Sequence, residues 1–350
     1  MRLIHNKQSL IENATSLANR RARDLALELA EIGIKAVLPQ QVVPRSIRLQ
    51  AGVLFVQDDQ YNLDDYHHIW ILGSGKASGS MAHELEKILQ ERITGGCIAS
   101  HENVHLQRIE VVCAGHPIPD QQSLQAAEKM LAIARMAGKQ DLIIALVSGG
   151  GSALAESLAL DLPLSDYQDL NNLLIQSGMP IEQINNIRIC LSRFKGGGLC
   201  RAAAQADLIA LYISDVLSDD PGLIASGPAV PVTRNYQAAM QSMIEHLIWE
   251  KVSQQIKDFF RQQISQVQNE PFAKLGRNYL IGTKKDSIKA VLDYASRRQL
   301  DSSILDQKMR GEAREAAIKA LTQFDLFRMG KKACLGILTG ETTVTVQGNG

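Results

Sequence analysis

Between residues 60 and 215 the chain alternates short apolar runs with longer stretches whose apolar residues recur every three or four positions. The runs are Ile69-Trp70-Ile71-Leu72, Ile109-Glu110-Val111-Val112-Cys113, Leu142 to Val147, and Leu208 to Ile213. Each empties into a turn: Gly73-Ser74-Gly75-Lys76, Ala114-Gly115-His116-Pro117, Ser148-Gly149-Gly150-Gly151-Ser152 and Ser214-Asp215-Val216. Helical patterns follow the first, to about Leu89, and the second, from Gln121 to Ala137. Apolar runs alternating with helices predict β-α units and a mostly parallel sheet buried on both faces, a Rossmann-like α/β fold.

The flanks read differently. Leu10, Ala14, Leu17, Arg21, Leu25, Leu29 and Ile32 form a helical stripe over residues 8 to 37, with Arg21 as its polar break. Pro39 and Pro44 are expected to end that helix and start a connector. After Pro228-Ala229-Val230-Pro231 the composition shifts, and residues 236 to 270 are glutamine-rich and helical. A boundary near 232 is therefore expected. Beyond it come a strand at Tyr279-Leu280-Ile281, a strand near Ile304, a helix from Glu312, and closing strands at Leu335 to Leu338 and Thr342 to Val346. The expected organisation is a Rossmann-like domain over 45–232 carrying the glycine-rich loops and a smaller α/β domain over 233–350. The N-terminal helix, 1–40, is set to pack on the second.

Composition narrows the function. The 350 residues suffice for about two domains. Lysine plus arginine and aspartate plus glutamate both count 37, which argues against a nucleic-acid or anionic-membrane binder. A hydrophobic share of 45% and a charged share of 21% exclude a disordered chain, and 5% aromatics argue against stacking platforms for single strands. No run approaches the ~18 apolar residues of a membrane span. Met1 to Lys7 lacks the apolar segment of a secretory signal. The five cysteines are odd in number and lack C-x-x-C spacing, so neither a disulfide framework nor a zinc site is expected. These features predict a cytoplasmic protein with thiols used as small hydrophobes.

Candidate chemistry sits in the turns, because ligands of open parallel sheets bind at the carboxyl ends of the strands. Gly73-Ser74-Gly75-Lys76-Ala77-Ser78 is not a Walker loop, since Trp70 stands where the first glycine is needed. It falls short of G-x-G-x-x-G because Ser78 takes the third glycine's place. What remains is a lysine, Lys76, at a strand-to-helix turn, either functional or simply solvated. Ser148, Gly149, Gly150, Gly151 and Ser152 allow close backbone approach with hydroxyls at either side, an arrangement suited to cradling an anion. Ser214 to Pro221 carries Asp215, Asp219 and Asp220, carboxylates of the kind that hold Mg²⁺ with substrate phosphates or that cap a helix ahead of Pro221. Arg188, Ser192 and Lys195 would share one helix face leading into Gly196-Gly197-Gly198, either a clamp for an acidic substrate or a solvated basic face. His116 is fixed in a proline-bounded turn.

Taken in order, these segments resemble the class II glycerate kinases, the glycerate 2-kinase or MOFRL family. The matching stretches are Gly73 to Ala77, Ala114 to Asp120, Ser148 to Leu154, Ile184 to Gly197, Ser214 to Pro228, Gly311 to Glu315 and Gly340 to Val346, the last including Glu341 and Thr342. The resemblance implies ATP- and Mg²⁺-dependent phosphorylation of D-glycerate to 2-phosphoglycerate by two α/β domains with the active site in the cleft between them. It implies a catalytic role for Lys76, Arg188 and Asp215, and Mg²⁺ on Asp215 and Asp219. It implies substrate or nucleotide contacts from Gly73, Ser74, Gly75, His116, the Ser148–Ser152 loop, Lys195, Gly196, Glu341 and Thr342. The partners expected are small molecules, with a homodimer allowed for. The chain departs from the family pattern at Ile189, at Ala229, and at its end, where Gly348-Asn349-Gly350 replaces a Gly-Gly-Arg-Asn-Gln-Glu continuation and makes the expected second domain incomplete.

Two rivals stand beside the kinase. A hydroxypyruvate reductase using a nicotinamide cofactor would rest on the first loop, with Glu102 a distant candidate for the ribose. An inactive truncated paralogue would rest on the abrupt end.

Overall fold

A computed structural model describes residues 3–159, 162–266, 275–331 and 333–345. The chain divides into two compact units, Val42–Ile281 and a smaller one made of Met1–Gln41 with Gly282–Gly350.

The larger unit opens within a helix, Pro39–Ser46, and continues in an antiparallel meander of β1 (Ile47–Gln50), β2 (Val53–Val56) and β3 (Asp59–Asn62). Pro39 therefore begins a helix instead of ending one, as proline's fixed φ allows at a first helical position. The core sheet comprises β4 (His68–Ser74), β5 (Gly95–Ser100), β6 (Glu110–Cys113), β7 (Asp141–Ser148), β8 (Asp207–Ile213) and β9 (Arg277–Gly282), in the order β6-β5-β4-β7-β8-β9. Strands β4 to β8 pair in parallel. Every residue of β7 is buried, as expected of a strand with helices on both faces. Strand β5 escapes a hydrophobicity reading because it begins Gly95-Gly96. A Cβ at Gly96 would overlap the Ile71 backbone, and one at Gly95 would meet the Trp70 ring at 3.3 Å. Glycine here serves close strand packing, not a turn.

The helices Tyr236–Glu245 and Gln254–Ser265 share one apolar cluster with Tyr167, Leu170, Leu174 and Ile187. The boundary expected near 232 thus falls inside the larger unit, whose edges lie at 41/42 and 281/282. The glutamines of this stretch line the exposed side of helices that bury Tyr236, Ile256, Phe259 and Phe260. Residues 267–270 of the expected helical stretch lie outside the described residues.

In the smaller unit the expected N-terminal helix is two, Lys7–Glu12 and Leu17–Lys35, because the Ser16 hydroxyl accepts the Asn19 N–H and starts a new helix. The second packs on Lys284–Arg297, where Ser287 donates to the Gly33 carbonyl at 2.8 Å. Strands β10 (Asp301–Met309) and β11 (Cys334–Gly340) pair in parallel, with the helix Ala313–Arg328 between them in sequence. Thr342 to Thr345 make a single bridge, Thr343 to Glu312, in place of the expected strand; Val346 lies outside the described residues.

Lys195 and Glu156 form an ion pair, both side chains fully buried, in the larger unit. Lys195 Nζ also donates to Tyr167 Oη at 3.1 Å, and Ser192 Oγ donates to the other oxygen of Glu156. Desolvation lowers the Lys195 pKa, and Glu156 opposes that shift. Removing one partner of such a pair strands the other charge, at a cost of about 3–5 kcal/mol. Lys195→Met should therefore lower the urea midpoint sharply, and Lys195→Met combined with Glu156→Leu should recover most of the loss. A wild-type midpoint for the single variant would show that the pair is not sealed from water.

Candidate active site

The sheet order places the strand-order reversal between β4 and β7, since β5 and β6 lie to one side and β8 and β9 to the other. Ser74 pairs in register with Val147, and Ser148 with Ile213, so the loops after β4, β7 and β8 leave the sheet side by side. This crevice is where an open α/β sheet takes its ligand.

The first two loops interlock. The Lys76 N–H donates to the Gly149 carbonyl at 2.9 Å, and the Ala77 N–H to Ser148 Oγ at 3.0 Å. The N–H groups of Gly75 and Ser78 go to the carbonyls of Ala99 and Gly75. Gly75, at φ +138°, lies against Ser148, and a Cβ at Gly73 would strike the Leu146 carbonyl at 2.5 Å. The first loop therefore offers no spare backbone donor for an anion. Gly73 and Gly75 are packing glycines, Ser148 is a strut, and Ser74 is buried with its Oγ unpartnered. A dinucleotide pyrophosphate, as the reductase reading requires, finds its expected donors already bonded.

The second loop is the opposite case. Among the described residues no protein acceptor takes the N–H groups of Gly149, Gly150, Gly151 and Ser152. Gly150 is left-handed (φ +81°), and the short helix Gly151–Leu154 starts at once. Successive free N–H groups around a left-handed residue make a concave anion nest.

Three side chains converge on this nest. A Cβ at Gly150 would lie 3.1 Å from Lys76 Cε and 3.1 Å from His116 Nε2, and one at Gly149 would overlap Asp215 Oδ2. Lys76 is exposed, so its ammonium is able to follow a bound anion. His116 titrates below its ordinary value, first because it is partly desolvated and then because Lys76 and His101 repel its charged form. Its neutral form is therefore favoured. Asp215 titrates above its ordinary value because burial outweighs its own backbone hydrogen bond and the pull of Lys76. The residue as a whole is exposed, but its carboxyl is packed against Gly149, and it is the carboxyl's surroundings that set the shift.

A further loop, not singled out for chemistry by composition, closes the other side of the nest. Ser226 Oγ lies 2.7 Å from Ser152 Oγ and donates to buried Asn185 Oδ1 at 3.3 Å. Ala225, Ser226 and Gly227 are all left-handed, at φ +52°, +59° and +61°. The Ser226 and Gly227 carbonyls accept the N–H groups of Gly196 and Gly197. Left-handed alanine and serine in succession carry no periodic or compositional signal.

The other candidates are placed elsewhere. The helix bearing Arg188 ends at Cys190, so the expected face of Arg188, Ser192 and Lys195 does not form. Arg188 Nε donates to Asn171 at 2.8 Å, one helical turn from Asn185. Lys195 is sealed in its pair with Glu156, and Gly196 is buried with its N–H and carbonyl both bonded, so neither is a substrate contact in this structure. Asp220 accepts the Gly222 N–H and acts as a turn cap. Asp219, left-handed at φ +54°, has a buried Oδ1 without a partner. An orphaned carboxylate oxygen four residues from Asp215 fits a hard divalent cation that is completed by substrate oxygens. Among the described residues no three His, Cys, Asp or Glu side chains cluster to hold a metal alone. Glu341 and Thr342 belong to the smaller unit, where the Glu341 N–H donates to the Met309 carbonyl. No helix of the described residues is long and apolar enough to cross a membrane.

The family model for a domain of unknown function, DUF4147, matches residues 25–261. A glycerate 2-kinase of Pyrococcus horikoshii is 30% identical over 94% of this chain and 76% of its own length. A D-glycerate 2-kinase of Thermotoga maritima is 29% identical over 94% of this chain and 75% of its own. The crystal structure of a Thermotoga maritima glycerate kinase superposes with a TM-score of 0.76 at 27% identity, covering 94% of this chain and 76% of that one. With the family model covering β4 to β8 and the nest, and relatives aligned over 94% of the chain, the chain belongs to the DUF4147 family, that of the glycerate 2-kinases.

Proposed function

We propose that this protein is a glycerate 2-kinase, transferring the γ-phosphoryl group of ATP to the 2-hydroxyl of D-glycerate with Mg²⁺. The observation that carries the reading is the convergence of Lys76, His116 and Asp215 on a nest of four unbonded N–H groups. Phosphoryl transfer needs little covalent chemistry from a protein; it needs fixed donors and positive charge where the phosphate oxygens sit. The nest binds and orients a phosphate. Lys76 neutralises charge on the transferring group. Neutral His116 donates or accepts a hydrogen bond at the same place without adding charge. Asp215 receives the hydrogen bond of the attacking hydroxyl and, with Asp219, would hold Mg²⁺, which when bound would supply positive charge to offset that of the phosphate. Arg188, anchored by Asn171, is the second cation suited to the substrate carboxylate.

A coupled assay with ATP and D-glycerate, with the product carbon identified by phosphorus NMR, tests the reading; NADH oxidation with hydroxypyruvate and no ADP release would overturn it. Lys76→Ala should lower kcat about 10²–10³-fold, the size expected when one preorganised charge-stabilising donor is removed. Gly150→Ala places a methyl against Lys76 Cε in a left-handed position, at about 1–2 kcal/mol of backbone strain. It should raise KM for ATP while leaving the unfolding midpoint within a few degrees.

The pH profile follows from Asp215. Because its carboxyl is held above the usual aspartate range, the ionised form is lost earlier as pH falls. The acid limb of kcat/KM should therefore sit above the pH where a free aspartate titrates. Asp215→Asn should abolish that limb along with most of the activity. An acid limb at the ordinary aspartate value would remove Asp215 from this role.

A further inference from the structure

The hydroxyl pair that closes the nest has a direction. A serine hydroxyl carries one proton and two lone pairs, so it donates once. Ser226 is 1% exposed and takes its partners from the protein: Ser152 Oγ at 2.7 Å and Asn185 Oδ1 at 3.3 Å. The Asn185 oxygen can only accept. If Ser226 gave its proton to Ser152, the buried Asn185 oxygen would lose this donor. Given to Asn185, the proton leaves Ser226 Oγ free to accept from Ser152, and both contacts become hydrogen bonds. The bonds therefore run from Ser152 to Ser226 to Asn185.

This order spends the one proton of Ser152. Its Oγ keeps lone pairs only, and Ser152 is half-buried, next to Gly151 of the nest. The nest thus changes character along its length. Gly149, Gly150 and Gly151 offer donors alone, and at Ser152 an acceptor joins them. Phosphate oxygens suit the glycine end; the Ser152 end suits a group with a proton to give. Asn185 and Arg188 stand three residues apart on the helix Ile181–Cys190, hence on one face. The cation suited to a substrate carboxylate and the chain of bonds that sets Ser152 therefore leave the same side of one helix.

We propose that Ser152 Oγ accepts a hydrogen bond from the 3-hydroxyl of the substrate, selecting a dihydroxy acid over one with a single hydroxyl, and that Asn185 is a positioning residue that holds Ser152 in its accepting state. The assignment rests on the kinase reading, in which Asp215 takes the 2-hydroxyl and leaves its neighbour to be recognised. A site built to bond a substrate hydroxyl rejects the analogue that lacks it, because the site's own polar group is then left unpaired. Ser226 is the rigid link in this device: the Gly196 N–H holds its carbonyl, and its left-handed backbone fixes where its hydroxyl stands.

The test compares D-glycerate with D-lactate, which keeps the carboxylate and the 2-hydroxyl and lacks only the 3-hydroxyl. Acid-dependent ADP release by the full chain gives kcat/KM for each. The unmodified protein should prefer D-glycerate by about a hundredfold or more. Ser152→Ala should cut that preference about tenfold, through D-glycerate, with KM for ATP unchanged because the backbone N–H stays. Asn185→Leu, which frees the Ser226 proton for Ser152, should also cut it; Asn185→Asp, which offers only acceptors, should keep it. The preference is a ratio within one preparation, so partial unfolding does not move it. An unchanged preference in Ser152→Ala overturns the hydroxyl assignment, and an equal loss in Asn185→Asp and Asn185→Leu overturns the role of Asn185. Release with both acids at equal kcat/KM in the unmodified protein overturns the assignment alone, whereas release with neither overturns the kinase reading and the assignment with it.

Discussion

The site depends on how closely the loops after β4 and β7 approach each other. Lys76 and Ala77 give their N–H groups to Gly149 and Ser148, and this fixes the second loop by its carbonyl and its hydroxyl. Every N–H that the first loop spends in this way is one that the second loop keeps for a ligand. The division is possible only because Gly75 and Gly151 leave no Cβ between the strands: one at Gly151 would lie 2.9 Å from the Ser74 carbonyl and 2.7 Å from Ala225. A side chain at either position would push the loops apart, and the nest would lose its shape before it lost any ligand-binding group.

The same loop is braced from its other side by a backbone that resists its own conformation. Left-handed Ala225 and Ser226 each cost of order 1 kcal/mol and persist only where surrounding bonds over-determine them. Those bonds come from Gly196 and Gly197, which are themselves left-handed and cannot carry side chains, since a Cβ at Gly197 would overlap Pro231. Below them the buried Lys195–Glu156 pair and Ser192 fix the start of the same turn, with Ser192 Oγ accepting the N–H groups of Phe194 and Lys195. Gly196, expected from the sequence as a ligand contact, and Gly197 are thus a clamp on the strained segment that sets Ser152.

How legible this was depended on whether the signal lay in one residue's chemistry or in two segments' contact. The apolar runs of β4, β7 and β8 announce themselves because parallel strands covered on both faces have no polar side to hide. Strand β5 does not, because its glycines exist to meet Ile71 and Trp70 across the sheet. The meander at 47–62 was masked by two prolines that belong to a helix. Lys76, Asp215 and the 148–152 loop were legible as candidates because their chemistry is local. Lys195 was misplaced because a lysine beside glycines looks solvated until Glu156, 39 residues earlier, is brought to it. Ser226 and Asn185 were not found as site residues, since nothing in either sequence neighbourhood indicates that they meet at Ser152.

The formal neutrality of the chain bears on the chemistry as well. With 37 charges of each sign, no global field draws an anion to the crevice. Attraction must be built locally, and the nest builds it mostly from dipoles. Its four N–H groups carry partial charge without a counter-ion, so they need no desolvation of a buried cation to become available. Lys76 is then free to be the single mobile charge, and its field acts on both neighbours: it disfavours the charged form of His116 and favours that of Asp215, though burial dominates each shift. The result is one cation, one neutral ring and one reluctant carboxylate around a set of fixed dipoles. On the proposed reading, a phosphate entering that arrangement opposes the charge on Asp215, which makes the carboxylate a better acceptor for a hydroxyl proton while the anion is bound.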